Sequence, residues 1–169
     1  LAMAGVVSGF ADGSFGGDRT VTRAQLAKIV AGALGIADNN ATTAPFADLG
    51  LVDGNFYPHK YVASLCALGA VEGNRSNLFS PWAPATRAHV ISVLVRAMQA
   101  LAPEILAEPP SALASAVGAF DARHDRAMLI AEHNGLLEVL EDYDHSWDPW
   151  LPVSRGELAQ LLHGLQSMR

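Results

Sequence analysis

The chain has a single cysteine, Cys66, in 169 residues. That excludes an internal disulfide framework and a cysteine-rich metal site. Basic residues are also scarce: 11 Lys and Arg against 17 Asp and Glu leave a formal charge of -6. A general nucleic-acid binder needs a basic face, so none is expected here, and any anionic ligand has to be captured by local charge. No apolar run approaches the ~20 residues of a membrane span, and no signal-peptide pattern opens the chain. Its first residues, "LAMAGVVSG", read instead as the tail of a helix, as in a fragment or a processed product. The histidines at 59, 89, 124, 133, 145 and 163 are scattered, and none forms an HExxH pair. There is no G-x-S-x-G and no phosphate-cradling loop, and Cys66 falls in a helix expected to be buried, so an enzyme is not expected. The stretch from Asp12 to Arg23 imitates a calcium loop, but calcium requires a bidentate Glu at the twelfth position, where Arg23 stands. His145 with Asp142, Asp144 and Asp148 reads as a solvated acidic turn. No metal or cofactor is expected. Half of the residues are hydrophobic and 7% aromatic, enough at this length to bury a core as one domain or a small array.

What the chain does have is a repeat. "TVTRAQLAKIV" (20–30), "PATRAHVISVL" (84–94) and "PVSRGELAQLL" (152–162) share a hydroxyl residue followed by an arginine and an apolar stripe. Arg23, Arg87 and Arg155 are 64 and then 68 residues apart, and Phe15, Phe79 and Trp147 stand eight positions before them. "GVVSG" (5–9) matches "GAVEG" (69–73), while the third copy, "GLLEV" (135–139), lacks the second glycine and has a longer loop after it. The stripes Leu26, Ile29, Val30, Ala33; Val90, Val93, Leu94, Ala97; and Leu158, Leu161, Leu162, Leu165 each follow i, i+3, i+4, i+7. That is one face of an α-helix, and three equivalent faces are most simply buried against one another.

Thr22, Thr86 and Ser154 suit helix N-caps, with Gln25 and Glu157 completing capping boxes in copies one and three and His89 breaking the pattern in copy two. Val21 with Leu26, and Val153 with Leu158, have the spacing of a hydrophobic staple. The arginine is harder to place. The first helical position faces the positive end of the helix dipole, where a cation is disfavoured by roughly 0.3–1 kcal/mol. Two readings stand: a salt bridge to a carboxylate such as Asp48, or an anion site made of the arginine fork and the helix N-terminus.

Further helices are expected over Tyr57–Gly69, with Val62, Leu65 and Cys66 inward, and over Asp125–Gly135; the first copy keeps only the tail, Leu1–Ala4. Turn-rich linkers at Ala37–Pro45 and Pro103–Ser111 separate the copies. The expected architecture is all-α: three tandem helix–loop–helix repeats, at residues 1–37, 44–102 and 118–169, forming a pseudo-threefold trimer around a central three-helix bundle.

This pattern resembles the S-layer homology domain, a cell-wall-anchoring module normally present in three tandem copies. "GVVSGFADGSF" (5–15) followed by "VTRAQLAKIVAGALG" (21–35) carries the likeness in copy one, "FADL" (46–49), "GAVEG" and "ATRAH" in copy two, and "FDAR" (120–123) and "VSRGEL" in copy three. The resemblance implies a non-catalytic, extracellular module of the bacterial cell surface. Its partner would be a peptidoglycan-linked secondary cell-wall polysaccharide, often pyruvylated, held in grooves between repeats. A pyruvate ketal is a carboxylate, which an arginine can grip with two parallel hydrogen bonds. The family's ligand-binding arginine corresponds to Arg23 and Arg87, and to Arg155 in the degenerate third copy, which is expected to lack a good site. Asp48, Tyr57 and Trp82 complete the candidate carbohydrate contacts. The family commonly has tryptophan where copy two has Tyr57 and copy three Arg123. Tyr57 could stack on a sugar or anchor its helix, and Trp82, Trp147 and Trp150 could serve as platforms or as rim packing. The alternative function is a structural module that docks on neighbouring surface-layer proteins and has lost glycan binding.

Overall fold

The computed structural model describes residues 9–37, 44–50, 57–74, 76–111, 113–118 and 120–168. The expected elements at Leu1–Ala4 and in most of the 37–45 linker lie outside them. The described residues are helical, with no strand: α1 (Arg23–Leu34), α2 (His59–Ala67), α3 (Arg87–Leu101), α4 (Asp125–His133) and α5 (Arg155–Ser167), plus 3-10 turns at Ala47–Leu49 and Leu136–Val139. The fold is all-α. The three long helices start where the caps place them. Gln25 N–H donates to Thr22 Oγ1 and Thr22 N–H to Gln25 Oε1, and Glu157 with Ser154 repeats the exchange. Copy two corrects the expectation of a broken box: Thr86 N–H donates to His89 Nδ1 at 3.2 Å, and His89 N–H to Thr86 Oγ1. A neutral imidazole nitrogen takes the place of a carboxylate oxygen. Gly35, in the left-handed conformation at φ 69°, ends α1.

The segments before these helices are joined in a cycle. Val21 N–H donates to Val153 O at 3.1 Å, Val153 N–H to Ala85 O at 2.9 Å, and Ala85 N–H to Val21 O at 2.8 Å. All three residues are buried. A second set surrounds this ring: Arg23 N–H reaches Ala83 O, Arg87 N–H reaches Leu151 O and Arg155 N–H reaches Arg19 O. A third pairs Ala24, Ala88 and Gly156 N–H with Pro81, Pro149 and Gly17 O. The first two amides of every long helix, which have no partner inside the helix, are thus satisfied by a loop of another copy.

The apolar stripes enter one hydrophobic core, in which Val30, Val90, Leu94 and Leu165 are fully buried. The closest helix pairings are α1 with α2 and α3 with α4, and α5 lies against the Leu136–Val139 turn. α1 and α3 thus each pack most closely on the short helix of the following copy. Cys66 is half-buried, whereas Val62 and Leu65 face fully inward. The 3-10 turn in copy three presses Val139 onto α5 at Gly164, where an added Cβ would come within 2.6 Å of Val139 Cγ1.

Candidate functional site

Each of the three arginines lies across the aromatic that precedes the next copy's long helix. The Arg23 guanidinium stands 4.8 Å from the Phe79 ring centre, Arg87 5.0 Å from Trp147, and Arg155 5.0 Å from Phe15. The same side chains donate to loop carbonyls: Arg23 Nε to Phe79 O at 2.6 Å, Arg87 Nη1 to Asp148 O at 3.1 Å, and Arg155 Nε to Phe15 O at 3.1 Å. The aromatic eight residues before each arginine is thus explained, but as the partner of the preceding copy's arginine. Cation–π contact and a charge-assisted hydrogen bond hold neighbouring copies together. The cation reaches away from its own helix dipole.

The anion-site reading of these helix N-termini changes accordingly. Their first two amides are occupied by loop carbonyls and the third by the cap side chain. The guanidinium is the group left to offer a ligand.

The interfaces differ at the third helical residue of the facing copy. At Arg87 that residue is Glu157, whose Oε1 accepts Arg87 Nε at 2.6 Å while its Oε2 closes the α5 capping box. At Arg23 it is His89, a neutral acceptor. Burial is the largest influence on His89, and the Arg23 charge adds to it, lowering its pKa to about 4. Among the described residues no carboxylate pairs with Arg23 within ion-pair distance. Burial pulls its guanidinium below the ordinary value, with Asp48 opposing.

Arg23 opens onto a cavity of about 310 Å³. Its floor is apolar, with Leu26, Val71 and Val93; its polar lining includes His89, Ser92, Arg96, Arg123, His124 and Glu72. The His89 and His124 rings meet edge to face with centres 5.3 Å apart, and His124 Nδ1 shares a 2.7 Å hydrogen bond with Ser92 Oγ. Burial lowers the His124 pKa, opposed by Asp121 and aided by Arg96, Arg123 and Arg23. At neutral pH the described residues of the groove therefore present three cations, two uncharged imidazoles and one carboxylate. Such a lining can hold an anion against an apolar floor.

The S-layer homology domain model matches residues 1–27 and 45–91. Over these two stretches the chain is similar to the S-layer homology domain. Domains of this family are cell-wall anchoring modules that bind wall polymers and associate with the cell surface. No curated protein matches the chain. The matched stretches contain Arg23, the Asp48 turn, the Phe79–Ser80 loop and the first turn of α3, and so one whole side of the groove. No helix among the described residues is long and apolar enough to cross a membrane, and no group of three or more His, Cys, Asp or Glu among them could hold a metal ion.

The remaining expected site residues fall in different places. Asp48 does not pair with Arg23. Its carboxylate accepts Phe79 N–H at 2.8 Å and Ser80 N–H at 2.6 Å, fixing the loop whose carbonyl receives Arg23. Burial pushes the Asp48 pKa up, but these amides and the Arg23 charge outweigh it and hold the carboxyl below its usual range. Tyr57 is half-buried between Tyr61 and Trp82, each ring centre 6.2 Å away, and Trp82 is 63% exposed; neither lines the Arg23 groove. Trp147 is buried beneath Arg87, while Trp150 is exposed and contacts His124 and Phe120. Sequence reading missed Arg96, His89 and His124 as lining residues and took Arg123 only for a lost aromatic. Arg96 follows Arg87 by nine residues on the same helix, and no pattern there marks it as facing the groove.

Proposed function

We propose that this chain acts as an S-layer homology domain and binds an anionic secondary cell-wall polysaccharide, of the pyruvylated kind, in the groove beside Arg23. The observation that carries this reading is the contrast between two matching arginines. Arg87 is neutralised by Glu157, whereas Arg23 meets a neutral His89 and a cavity rich in guanidinium groups. Arg23 uses Nε on Phe79 O, and among the described residues its two outer nitrogens have no hydrogen-bond partner. A sugar carboxylate fits that pair, and the apolar floor suits the hydrophobic face of a pyranose ring.

In this reading the chain is a non-catalytic anchor of the bacterial cell surface, built of repeats at 1–37, 44–102 and 118–169 with pseudo-threefold symmetry. The closed cycle of Val21, Val153 and Ala85 supports that arrangement. Arg155 and Arg87 then serve mainly to join repeats, with Tyr57 and Trp82 outside the principal groove. A second reading, docking on neighbouring surface-layer proteins without glycan binding, draws support from the exposed Trp82 and Trp150. Co-sedimentation of the purified protein with cell-wall sacculi, before and after chemical removal of the wall polymer, separates the two. Retention that disappears with the polymer supports anchoring. Retention that survives its removal, or no retention at all, contradicts it.

A further inference from the structure

The Arg23 groove holds more positive charge than one acidic group can neutralise. Arg96 and Arg123 line the same cavity, and among the described residues its lining sets one carboxylate against these three guanidinium groups, that of the exposed Glu72, 3.9 Å from Arg96. Arg96 Nη2 donates to the Arg123 carbonyl oxygen, which ties the two basic residues together at the entrance to α4. Arg123 in turn places Nη1 on Gly73 O at 3.2 Å, and among the described residues its other guanidinium nitrogens have no hydrogen-bond partner. Like charges around one cavity repel one another unless anions join them.

The cavity also continues outward. A shallower depression shares Asn74, His89, Arg123 and His124 with it and is completed by Ser76, Asp121 and Trp150. Arg23 lines only the inner part, Arg123 lines both, and the 46%-exposed Trp150 ring flanks the outer part. A chain of sugars running outward therefore meets Arg23 first, Arg123 next and then an aromatic face.

From this geometry we infer that the groove selects an oligosaccharide carrying acidic groups on successive sugars, one held by Arg23 and a second by Arg123. Arg96 is a positioning residue that holds the Arg123 backbone. This rests on the groove being the anion site proposed above and narrows its ligand from a single terminal acid to an acid-bearing chain. Arg123, which stands where copy two has an aromatic, becomes a determinant of specificity.

Isothermal calorimetry with galacturonic acid and its 1,4-linked dimer and trimer tests this on the full chain. The oligomers should bind the wild type at least about tenfold more tightly than the monomer, because the second contact is intramolecular once the first has formed. Arg123→Gln should remove that increment, so that the dimer and trimer bind the variant no more tightly than the monomer does. Arg123→Tyr, which installs the copy-two side chain, should do the same, with melting curves confirming that both variants fold. Equal affinities across the series, no binding of any of the three acids, or an increment that survives both substitutions overturns the second subsite. Sacculus retention by the wild type is read separately. Retention without the increment keeps the anchor and removes the subsite, and the increment without retention does the reverse.

Discussion

Arg87 and Glu157 lie 70 residues apart in the chain and 2.6 Å apart in space, and one carboxylate serves both that arginine and the α5 capping box. Both side chains are largely buried, at 17% and 19% exposure. Removing Arg87 leaves a partly buried carboxylate without its cation, which costs more than the pair itself contributes. Arg87→Ala should therefore destabilise the fold by about 1–3 kcal/mol. The double change Arg87→Ala with Glu157→Gln should cost clearly less than the sum of the singles. Chemical denaturation of the four proteins measures this, and strict additivity would show that the two residues do not interact.

The core makes a simpler forecast. Leu94 and Leu162 are almost completely buried in the shared cluster. Each Leu→Ala change should cost roughly 2–5 kcal/mol, the usual range for a cavity in a well-packed core. A loss below 1 kcal/mol at both positions, read from denaturant midpoints at constant m-value, would contradict a single cooperative core.

His89 should make stability depend on pH. Its folded pKa, about 4, lies below the ordinary histidine value of about 6.5, so protons bind the unfolded chain more readily. The stabilisation from the neutral imidazole is complete above about pH 6.5 and is lost progressively as pH falls towards 4, by about 3 kcal/mol at most. Thr86 N–H donates to the same nitrogen that would be protonated, so acid also opens the capping box. His89→Gln, which supplies the residue copy one uses at this position, should flatten the stability profile between pH 6.5 and 4. A wild-type profile that is already flat in that window would exclude the effect.

Asp48 holds two backbone amides and so sets the loop that receives Arg23. Asp48→Ala should cost about 1–3 kcal/mol for the orphaned amides. If the loop positions Arg23, wall-polymer affinity should fall as well, although Asp48 does not line the cavity. Unchanged affinity in a folded Asp48→Ala protein would separate the loop from the site.

The five helices were legible because apolar spacing and hydroxyl caps are local signals, and the all-α fold follows from them. The repeated aromatic and arginine were equally visible, yet their partnership was not. Phe79 belongs to Arg23, 56 residues away, and the sequence offers no sign of which copy an arginine will reach. His89 looked like a broken capping box because carboxylate and carboxamide oxygens are the usual acceptors, but a neutral imidazole nitrogen meets the same amide. The groove itself was legible only at Arg23. Arg96, Arg123 and His124 come together through the packing of α3 on α4, and a polar residue facing a cavity has the same helical periodicity as one facing solvent.

The central claim is that Arg23 serves the ligand and Arg87 serves the fold. Sacculus binding and melting temperature, measured together on Arg23→Gln and Arg87→Gln, test it most directly. Arg23→Gln should weaken binding by about tenfold or more, the value of a lost charge-assisted contact, at a stability cost of about 1 kcal/mol for the Phe79 carbonyl bond. Arg87→Gln should lower the melting temperature by several degrees and leave binding within about twofold of the wild type. A folded Arg23→Gln protein that binds sacculi as well as the wild type contradicts the account.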